Sequence, residues 1–223
     1  MTYSFFLVDD HDMLRDGLRV LLEAEGYCVV GEAANGEAAL EAIPDMLPDV
    51  AVIDVGLPGL NGIELTRALA RRAPEVRVIA LSLHAERSII IEMLRAGARA
   101  YLPKASAFSE LLTAVGEVLD GRRYLSPSIA SIVLDSLLDG SANGQQSAYT
   151  ALTPRDRRIV QMIAEGYTSR EIAARECISV RTLETHRASI MARLEVNSVA
   201  TLTKYAIREG LTTPDDVRVG AGG

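Results

Sequence analysis

The chain has 223 residues, of which 48% are hydrophobic and 24% charged, and its net charge is −7. This composition is typical of a globular protein longer than one average domain, and no apolar run approaches the ~18 residues of a membrane-spanning helix. The first residues carry no basic leader and meet acids early, so we expect no signal peptide and a cytoplasmic protein.

The charge is distributed unevenly along the chain. Residues 1–120 hold ten basic and 19 acidic side chains, whereas residues 151–223 hold eleven basic and nine acidic ones. An acidic unit repels nucleic acid, so only the second part has a charge balance suited to binding it.

Apolar runs alternate with helical patterns over the first 120 residues. The predicted strands are 4–8, 27–33, 50–53, 76–81 and 98–102, and the predicted helices are 12–25, 36–43 (ended by Pro44), 62–72, 86–96 and 108–119. Such alternation predicts an α/β fold, with a doubly wound, five-stranded parallel sheet of order 2-1-3-4-5. Cys28 and Cys177 stand among apolar neighbours and are predicted to be reduced core thiols.

Polar side chains follow four of the five predicted strands. Asp9 and Asp10 come after the first strand, Asp54 after the third, Ser82 after the fourth and Lys104 after the fifth. The carboxyl ends of parallel strands share one edge of the sheet, and strands 1 and 3 flank the crevice where such folds bind ligands. We therefore expect these side chains to converge.

Carboxylates held close together repel one another unless a cation neutralises them, and hard oxygen ligands favour Mg²⁺. We expect Asp10, Asp54 and the carbonyl of Gly56 to be direct ligands, with Asp9 holding a water. Lys104 offers a positive charge to phosphoryl oxygens. A carboxylate beside Mg²⁺ can attack phosphorus, so Asp54 is the predicted phosphoryl acceptor.

These residues and the motif around Asp54 carry a resemblance. Asp9-Asp10, Asp54 with the following GLPGLNG, Ser82 and Tyr101-Leu102-Pro103-Lys104 resemble the receiver domain of bacterial two-component response regulators, over residues 3–120. The resemblance implies a sensor histidine kinase as phosphodonor, Ser82 and Tyr101 as the switch pair, and Gly56 and His84 as positions that set the dephosphorylation rate.

The helix predicted at 86–96 contains Ile89, Ile90 and Ile91 in a row. Consecutive helical residues point about 100° apart, so the three side chains cannot all face one core. Two interpretations stay open, namely a surface that meets a partner or the second domain, and a wide buried stripe.

Residues 121–149 are predicted to be a linker with one helix. Ser126 and Pro127 fit the N-cap and first position of that helix, and residues 140–148 (GSANGQQSA) fit a flexible tether. A domain of short helices is predicted at 150–211, and a tail at 212–223.

Within residues 150–211, two short helices joined by a tight turn predict a helix-turn-helix unit, so the fold class is α/β followed by a small all-α domain. On its second helix we expect Val180, Leu183, Ile190, Met191 and Leu194 to be buried, and His186 to pack beside them. The opposite face carries side chains suited to base edges in the major groove. The DNA-binding candidates are Ser169, Arg170, Arg181, Thr182, Glu184, Thr185, Arg187 and Ala188.

The run LTPRDRRIVQMIAEGYTSREIAARECISVRTLETHRASIMARLEV resembles the LuxR-type DNA-binding domain. Together with the receiver motifs it makes the chain similar to NarL/FixJ-type response regulators. The resemblance implies double-stranded DNA as a partner and a homodimer on DNA, with Val199 and Leu202 as candidate dimer contacts.

We therefore predict a transcription regulator switched by phosphorylation of Asp54, with no enzymatic role beyond self-phosphorylation and autodephosphorylation. Two alternatives stay open. One is an Asp-nucleophile phosphohydrolase, although Gly56 stands where such enzymes of the haloacid dehalogenase type have their general acid. The other is a constitutive DNA-binding regulator whose acidic pocket serves only the fold.

Overall fold

The computed structural model describes residues 2–83, 86–138 and 152–212, with the backbone alone for residues 136–138. The chain divides into two units, Met1–Asn143 and Gly144–Gly223. His84, the tether at 140–148 and the tail after residue 212 lie outside the described residues.

The first unit is built on a parallel sheet with the strand order β2-β1-β3-β4-β5-β6. The predicted order 2-1-3-4-5 and the α/β class are confirmed, and the sheet has one strand more than predicted. That sixth strand has two residues, too few to produce a periodic pattern. The strands are β1 (Ser4–Val8), β2 (Cys28–Ala33), β3 (Val50–Asp54), β4 (Arg77–Ser82), β5 (Ala100–Pro103) and β6 (Tyr124–Leu125).

Six α-helices are described in the first unit, namely α1 (Asp12–Ala24), α2 (Gly36–Met46), α3 (Gly62–Arg72), α4 (Arg87–Ala96), α5 (Ala107–Leu119) and α6 (Pro127–Leu138). Pro44 does not end α2 as predicted but lies inside its last turn. Few backbone bonds remain to be lost so close to a helix end, and Leu47, in the left-handed region, donates its N–H to Ile43 O at 2.8 Å.

The core of the first unit lies on both faces of the sheet because side chains alternate along each strand. Phe5, Leu7, Val52 and Leu81 pack with α1 and α5 on one face. The prediction that both cysteines lie in the core is wrong, since both are free and exposed. Cys28 begins the edge strand β2, and Cys177 lies in a turn with a positive φ of 53°.

Helix α6 packs against α4 and β5. Ile129 of α6 is fully buried, as are Ile89 and Ile90 of α4, and Ile91 is partly buried. Within the described residues, the three isoleucines therefore form the wide buried stripe rather than an open docking surface.

The second unit is a small bundle of helices around its own apolar core, which includes Ile159, Ile172, Leu183, Ile190 and Leu202. Hydroxyl side chains cap all four helices, and Thr153 and Thr168 each form a capping box. The helices are α7 (Pro154–Ala164), α8 (Ser169–Arg175), α9 (Val180–Arg193) and α10 (Val199–Arg208). Among the described residues, no helix is long and apolar enough to cross a membrane.

Val180 and Leu202 of this unit also differ from their predicted positions. Val180, the first residue of α9, is 42% exposed, so its assignment to the buried stripe is wrong. Leu202 is 0% exposed and packs in the core of its own unit, so it is not exposed for the predicted dimer contact. Val199 is 39% exposed and stays available for that role.

We expect Leu202→Ala to lower the free energy of unfolding of the second unit by about 2–5 kcal/mol, because it empties a fully buried site. Val199→Ala serves as the control and should change it by less than about 1 kcal/mol. Denaturant unfolding followed by circular dichroism measures both values. Equal losses for the two variants would contradict the assignment of Leu202 to the core.

Candidate functional site

Three of the predicted side chains meet at the carboxyl edge of the sheet in a buried cluster. Lys104, which follows β5, donates from Nζ to Asp54 Oδ2 at 2.7 Å and to Asp9 Oδ1 at 3.1 Å. Asp9 and Asp54 are 2% and 3% exposed, and Lys104 is 9% exposed. Strand ends far apart in sequence thus place two carboxylates around one ammonium group.

Asp10 and His11 border this cluster on its open side. His11 Nδ1 lies 2.7 Å from Asp10 Oδ1, 3.1 Å from Asp9 Oδ1 and 3.4 Å from Lys104 Nζ. His11 is absent from the predicted set, although its position directly after two acids was the available signal.

The pKa values of these groups reflect burial and close charges. Burial raises the pKa of Asp54 to about 6, although the Lys104 ammonium favours the ionised form. Burial lowers the pKa of Lys104, but Asp54 and Asp9 raise it by more, so the net shift is upward. Burial and Lys104 lower the pKa of His11, and the carboxylates of Asp10 and Asp9 again outweigh them.

The donor set fits a divalent cation. One ligand atom from each of Asp9, Asp10, His11 and Asp54 lies within 4.8 Å of the others. Asp9 Oδ2 and Asp10 Oδ1 are buried and accept no hydrogen bond within the described residues, although each lies next to a cationic or imidazole nitrogen. Hard carboxylate oxygens with spare acceptor capacity are what Mg²⁺ prefers.

Gly56 lies close to this cluster, and its N–H donates to Asp54 Oδ1 at 3.1 Å. This bond holds the carboxylate that Lys104 contacts from the other side. The predicted use of the Gly56 carbonyl as a metal ligand stays a prediction.

Ser82 and Tyr101 lie on neighbouring strands and are both 0% exposed. Their side chains are joined by a hydrogen bond, and burial raises the pKa of the Tyr101 phenol. Tyr101 therefore lies inward in this structure. Its backbone carbonyl accepts from the N–H of Ser126 at 3.2 Å, which ties it to the start of α6.

The loop after Asp54 depends on a close backbone approach that was absent from the predicted set. Asn61 caps α3 by accepting from the N–H of Glu64 at 3.0 Å. A Cβ on Gly62 would lie 2.1 Å from the carbonyl oxygen of Asp54 and 2.8 Å from Val55 Cα. The glycine thus lets α3 begin directly against the backbone of Asp54.

We expect Gly62→Ala to destabilise the first unit by about 1–3 kcal/mol, because backbone atoms must move to accept the methyl group. Gly116→Ala is the control, since its Cβ meets nothing within 4 Å in the middle of α5 and the change favours a helix by about 0.5–1 kcal/mol. Denaturant unfolding should show a lower free energy of unfolding for Gly62→Ala and a higher one for Gly116→Ala. A stabilised Gly62→Ala variant would contradict the close approach.

In the second unit, the predicted DNA-binding side chains are all exposed or partly exposed. Arg170 and the α9 residues Arg181, Thr182, Glu184, Thr185 and Ala188 are exposed, and Ser169 and Arg187 are partly exposed. Ser169 Oγ donates to Glu184 Oε1 at 2.8 Å, and Arg187 Nη1 lies 4.0 Å from Glu184 Oε2. The side chain of Glu184 is therefore held in position from two sides.

His186, which we predicted to pack beside the buried stripe, is partly buried and lies near an acid. Its Nδ1 lies 3.6 Å from Oδ1 of the buried Asp156, and its side chain is 36% exposed. His186 and Ser189 line a shallow groove together with Arg181, Thr182 and Thr185. Neither His186 nor Ser189 is in the predicted DNA-binding set, and no spacing signal in the sequence distinguishes them.

Comparison with known families agrees with both motif sets. Residues 5–116 match the family described as the response regulator receiver domain. Residues 150–206 match the family described as bacterial regulatory proteins, luxR family.

Relatives match over nearly the whole chain. The response regulator GacA of Pseudomonas aeruginosa is 34% identical over 206 residues, which cover 92% of this chain and 95% of GacA. The response regulator UvrY of Escherichia coli is 34% identical over 209 residues, covering 93% of this chain and 95% of UvrY. The crystal structure of a LuxR-family two-component response regulator from Aurantimonas sp. SI85-9A1 is 36% identical, with a TM-score of 0.59, over 62% of this chain and 99% of that one.

Proposed function

This chain belongs to the two-component response regulators of the NarL/FixJ type, and from that premise we propose that phosphorylation of Asp54 controls its binding to DNA. The family makes the protein a phosphorylation-dependent, DNA-binding transcription regulator. The proposal assigns this behaviour to particular residues.

One observation carries the assignment of Asp54. Lys104 Nζ lies 2.7 Å from Asp54 Oδ2 in a buried cluster where two more carboxylates lie close by. Such a cluster is poorly neutralised by a single lysine, which favours binding of a divalent cation and of a phosphoryl group.

Mg²⁺ is the cation that these oxygens fit. We assign Asp10, Asp54 and the Gly56 carbonyl as its ligands, with Asp9 holding a water. When bound, Mg²⁺ neutralises negative charge on the carboxylates and on phosphoryl oxygens. Asp9 has a second contact, because it shares the Lys104 ammonium with Asp54.

The donor is the phosphohistidine of a sensor histidine kinase. An oxygen of Asp54 attacks phosphorus, the new O–P bond forms as the P–N bond breaks, and the released imidazole takes up a proton. Lys104 then binds a phosphoryl oxygen through its ammonium group. The only other chemistry we assign is phosphorylation by small phosphodonors and autodephosphorylation. Gly56 and His84 are the positions that set the dephosphorylation rate.

Phosphorylation adds about −1.5 to −2 charges and three acceptor oxygens to Asp54. The Ser82 hydroxyl is the nearby group that can turn to donate to them, and it is now joined to Tyr101. A shift of Ser82 changes the surroundings of Tyr101, whose carbonyl bonds the start of α6. We propose that this shifts a two-state equilibrium, for which a change from 1:99 to 99:1 requires about 5.5 kcal/mol.

The output is binding of α9 in the major groove of double-stranded DNA, through the eight predicted residues from Ser169 to Ala188. Paired half-sites would be occupied by a homodimer, with Val199 as the exposed candidate contact. A protein that binds chromosomal DNA acts in the cytoplasm of a bacterium. We assign the receiver domain to residues 1–120, the linker to 121–149, the DNA-binding domain to 150–211 and the tail to 212–223.

Acetyl phosphate with and without Mg²⁺ tests the proposal on the full chain. We expect Mg²⁺-dependent covalent labelling together with tighter binding to DNA. Labelling without any change in DNA affinity would favour a constitutive DNA-binding regulator. Steady multiple-turnover hydrolysis of a phosphomonoester would favour the phosphohydrolase instead.

We expect Mg²⁺ to stabilise the first unit, since an ion that binds only the folded state adds free energy of unfolding. The gain is about 2.7 kcal/mol at a concentration 100-fold above the dissociation constant. Asp10→Asn should lose most of this gain, and Asp45→Asn, an exposed carboxylate outside the cluster, should keep it. Denaturant unfolding in Mg²⁺ and in EDTA measures the difference. If Asp10→Asn keeps the full gain in free energy of unfolding, Asp10 is not a metal ligand.

A further inference from the structure

A second cavity opens at the edge of the sheet opposite Asp54. It has a volume of about 410 Å³, and it lies at the amino ends of β4 and β5. Val76, Val78, Val118 and Ala70 contribute an apolar lining. This volume falls within the range of small-molecule sites, ~300–1,000 Å³.

Three arginines line this cavity, namely Arg77, Arg99 and Arg123. Among the described residues, the guanidinium groups of Arg77 and Arg123 donate only to backbone carbonyls, of Asp49 at 3.4 Å and of Ala98 at 3.3 Å. Within the part of the chain that the structure describes, none of the three guanidinium groups forms an ion pair with a carboxylate.

Several other arginines of the first unit do have carboxylate partners. Residues 1–120 hold 19 acidic side chains, and Arg15, Arg19, Arg67 and Arg122 all pair with carboxylates. Arg99 and Arg123 are exposed and Arg77 is partly exposed, so three positive charges around one cavity create a local field that attracts anions.

A buried hydroxyl supplies an independent indication of a ligand. Thr66 of α3 lines the same cavity and is 1% exposed. Its Oγ1 has no hydrogen-bond partner among the described residues. A buried polar group without a partner costs free energy, and a bound oxyanion would satisfy it.

We propose that this cavity binds a small organic phosphate, with its phosphate at the arginines and Thr66 and its apolar body on the valines. Glu75 also lines the cavity and forms no ion pair with another described residue, so three guanidinium groups and one carboxylate leave two positive charges. That balance matches a phosphate dianion, and guanidinium groups bind phosphate through paired hydrogen bonds. The site is separate from Asp54 and independent of the function proposed above.

Isothermal titration calorimetry of the full chain tests this, with phenyl phosphate, inorganic phosphate and phenol as probes. EDTA is present throughout, so that Mg²⁺-dependent binding at Asp54 does not contribute. We expect saturable binding of phenyl phosphate, several-fold weaker binding of inorganic phosphate and none of phenol. Equal affinities for the two phosphates would contradict an organic ligand and indicate a site for free phosphate. No saturable binding of either would show that the cavity is not a phosphate site.

Arg99→Ala and Arg123→Ala should each weaken phenyl phosphate binding about tenfold or more, since each removes a charged hydrogen bond. Arg122→Ala is the matched control, because Arg122 precedes Arg123 but pairs with Glu117 and Asp120. Thr66→Val, which keeps the side-chain shape, should weaken binding without unfolding the protein. Equal losses in the Arg122 and Arg123 variants would mean non-specific attraction and overturn the proposal.

Discussion

Asp54→Asn is expected to abolish covalent labelling by acetyl phosphate in the presence of Mg²⁺. The amide keeps the size of the side chain but lacks the nucleophilic carboxylate oxygen that must form the O–P bond. It also removes one charge from a cluster of three carboxylates, so repulsion falls and the fold should persist. Intact-mass spectrometry and a phosphate-affinity gel measure the labelled fraction.

The same variant should lose the donor-dependent gain in DNA affinity. Asp45→Asn is the control, since Asp45 is an exposed carboxylate at the end of α2 and should leave labelling unchanged. Circular dichroism confirms that both variants are folded. Undiminished labelling of Asp54→Asn would place the acceptor elsewhere, and unchanged donor-dependent binding would separate DNA affinity from Asp54.

Arg181→Ala is expected to weaken binding to the selected DNA site by about 5- to 150-fold, equivalent to about 1–3 kcal/mol. Arg181 is exposed on α9 and has no carboxylate partner among the described residues, so its guanidinium group is available to a base edge or a phosphate. Its backbone carbonyl accepts a hydrogen bond from Thr185 Oγ1 at 3.1 Å. Fluorescence anisotropy measures the affinity on a DNA site selected by the native protein.

Lys204→Ala is the matched control, because it removes the same charge from an exposed position of α10. A general electrostatic contribution would make the two losses equal. A larger loss for Arg181→Ala on the selected site than on unrelated DNA assigns base recognition to this residue. Equal losses on both DNAs would restrict Arg181 to contacts with phosphate.

The sequence alone was sufficient to predict the order of strands 1 to 5 and the convergence of side chains at their carboxyl ends. Apolar runs that stop at Asp9, Asp54 and Lys104 reveal where buried strands end, and parallel strands share one edge. The observed contacts of Lys104 with both carboxylates follow from that topology. The start of α6 at Pro127 was equally visible, because a serine followed by proline marks a helix start within one turn.

Other features depend on neighbours that are distant in sequence. The contact between Gly62 and the Asp54 backbone is set by how α3 begins against β3, and no spacing records it. The two-residue strand β6 exists because β5 offers an edge to pair with. The covering of α4 by α6 likewise decides that Ile89 and Ile90 are buried rather than free to meet a partner.

Local pattern and tertiary packing thus decided different properties of this protein. Periodicity, strand ends and caps are local consequences of backbone geometry, so the sequence determined the fold class, the helix-turn-helix unit and the convergence of Asp9, Asp54 and Lys104. Burial depends on every element packed around a residue. Only the tertiary structure therefore decided that Cys28 and Val180 are exposed and that Leu202 is buried. It also placed His186 near Asp156 and three arginines around one cavity.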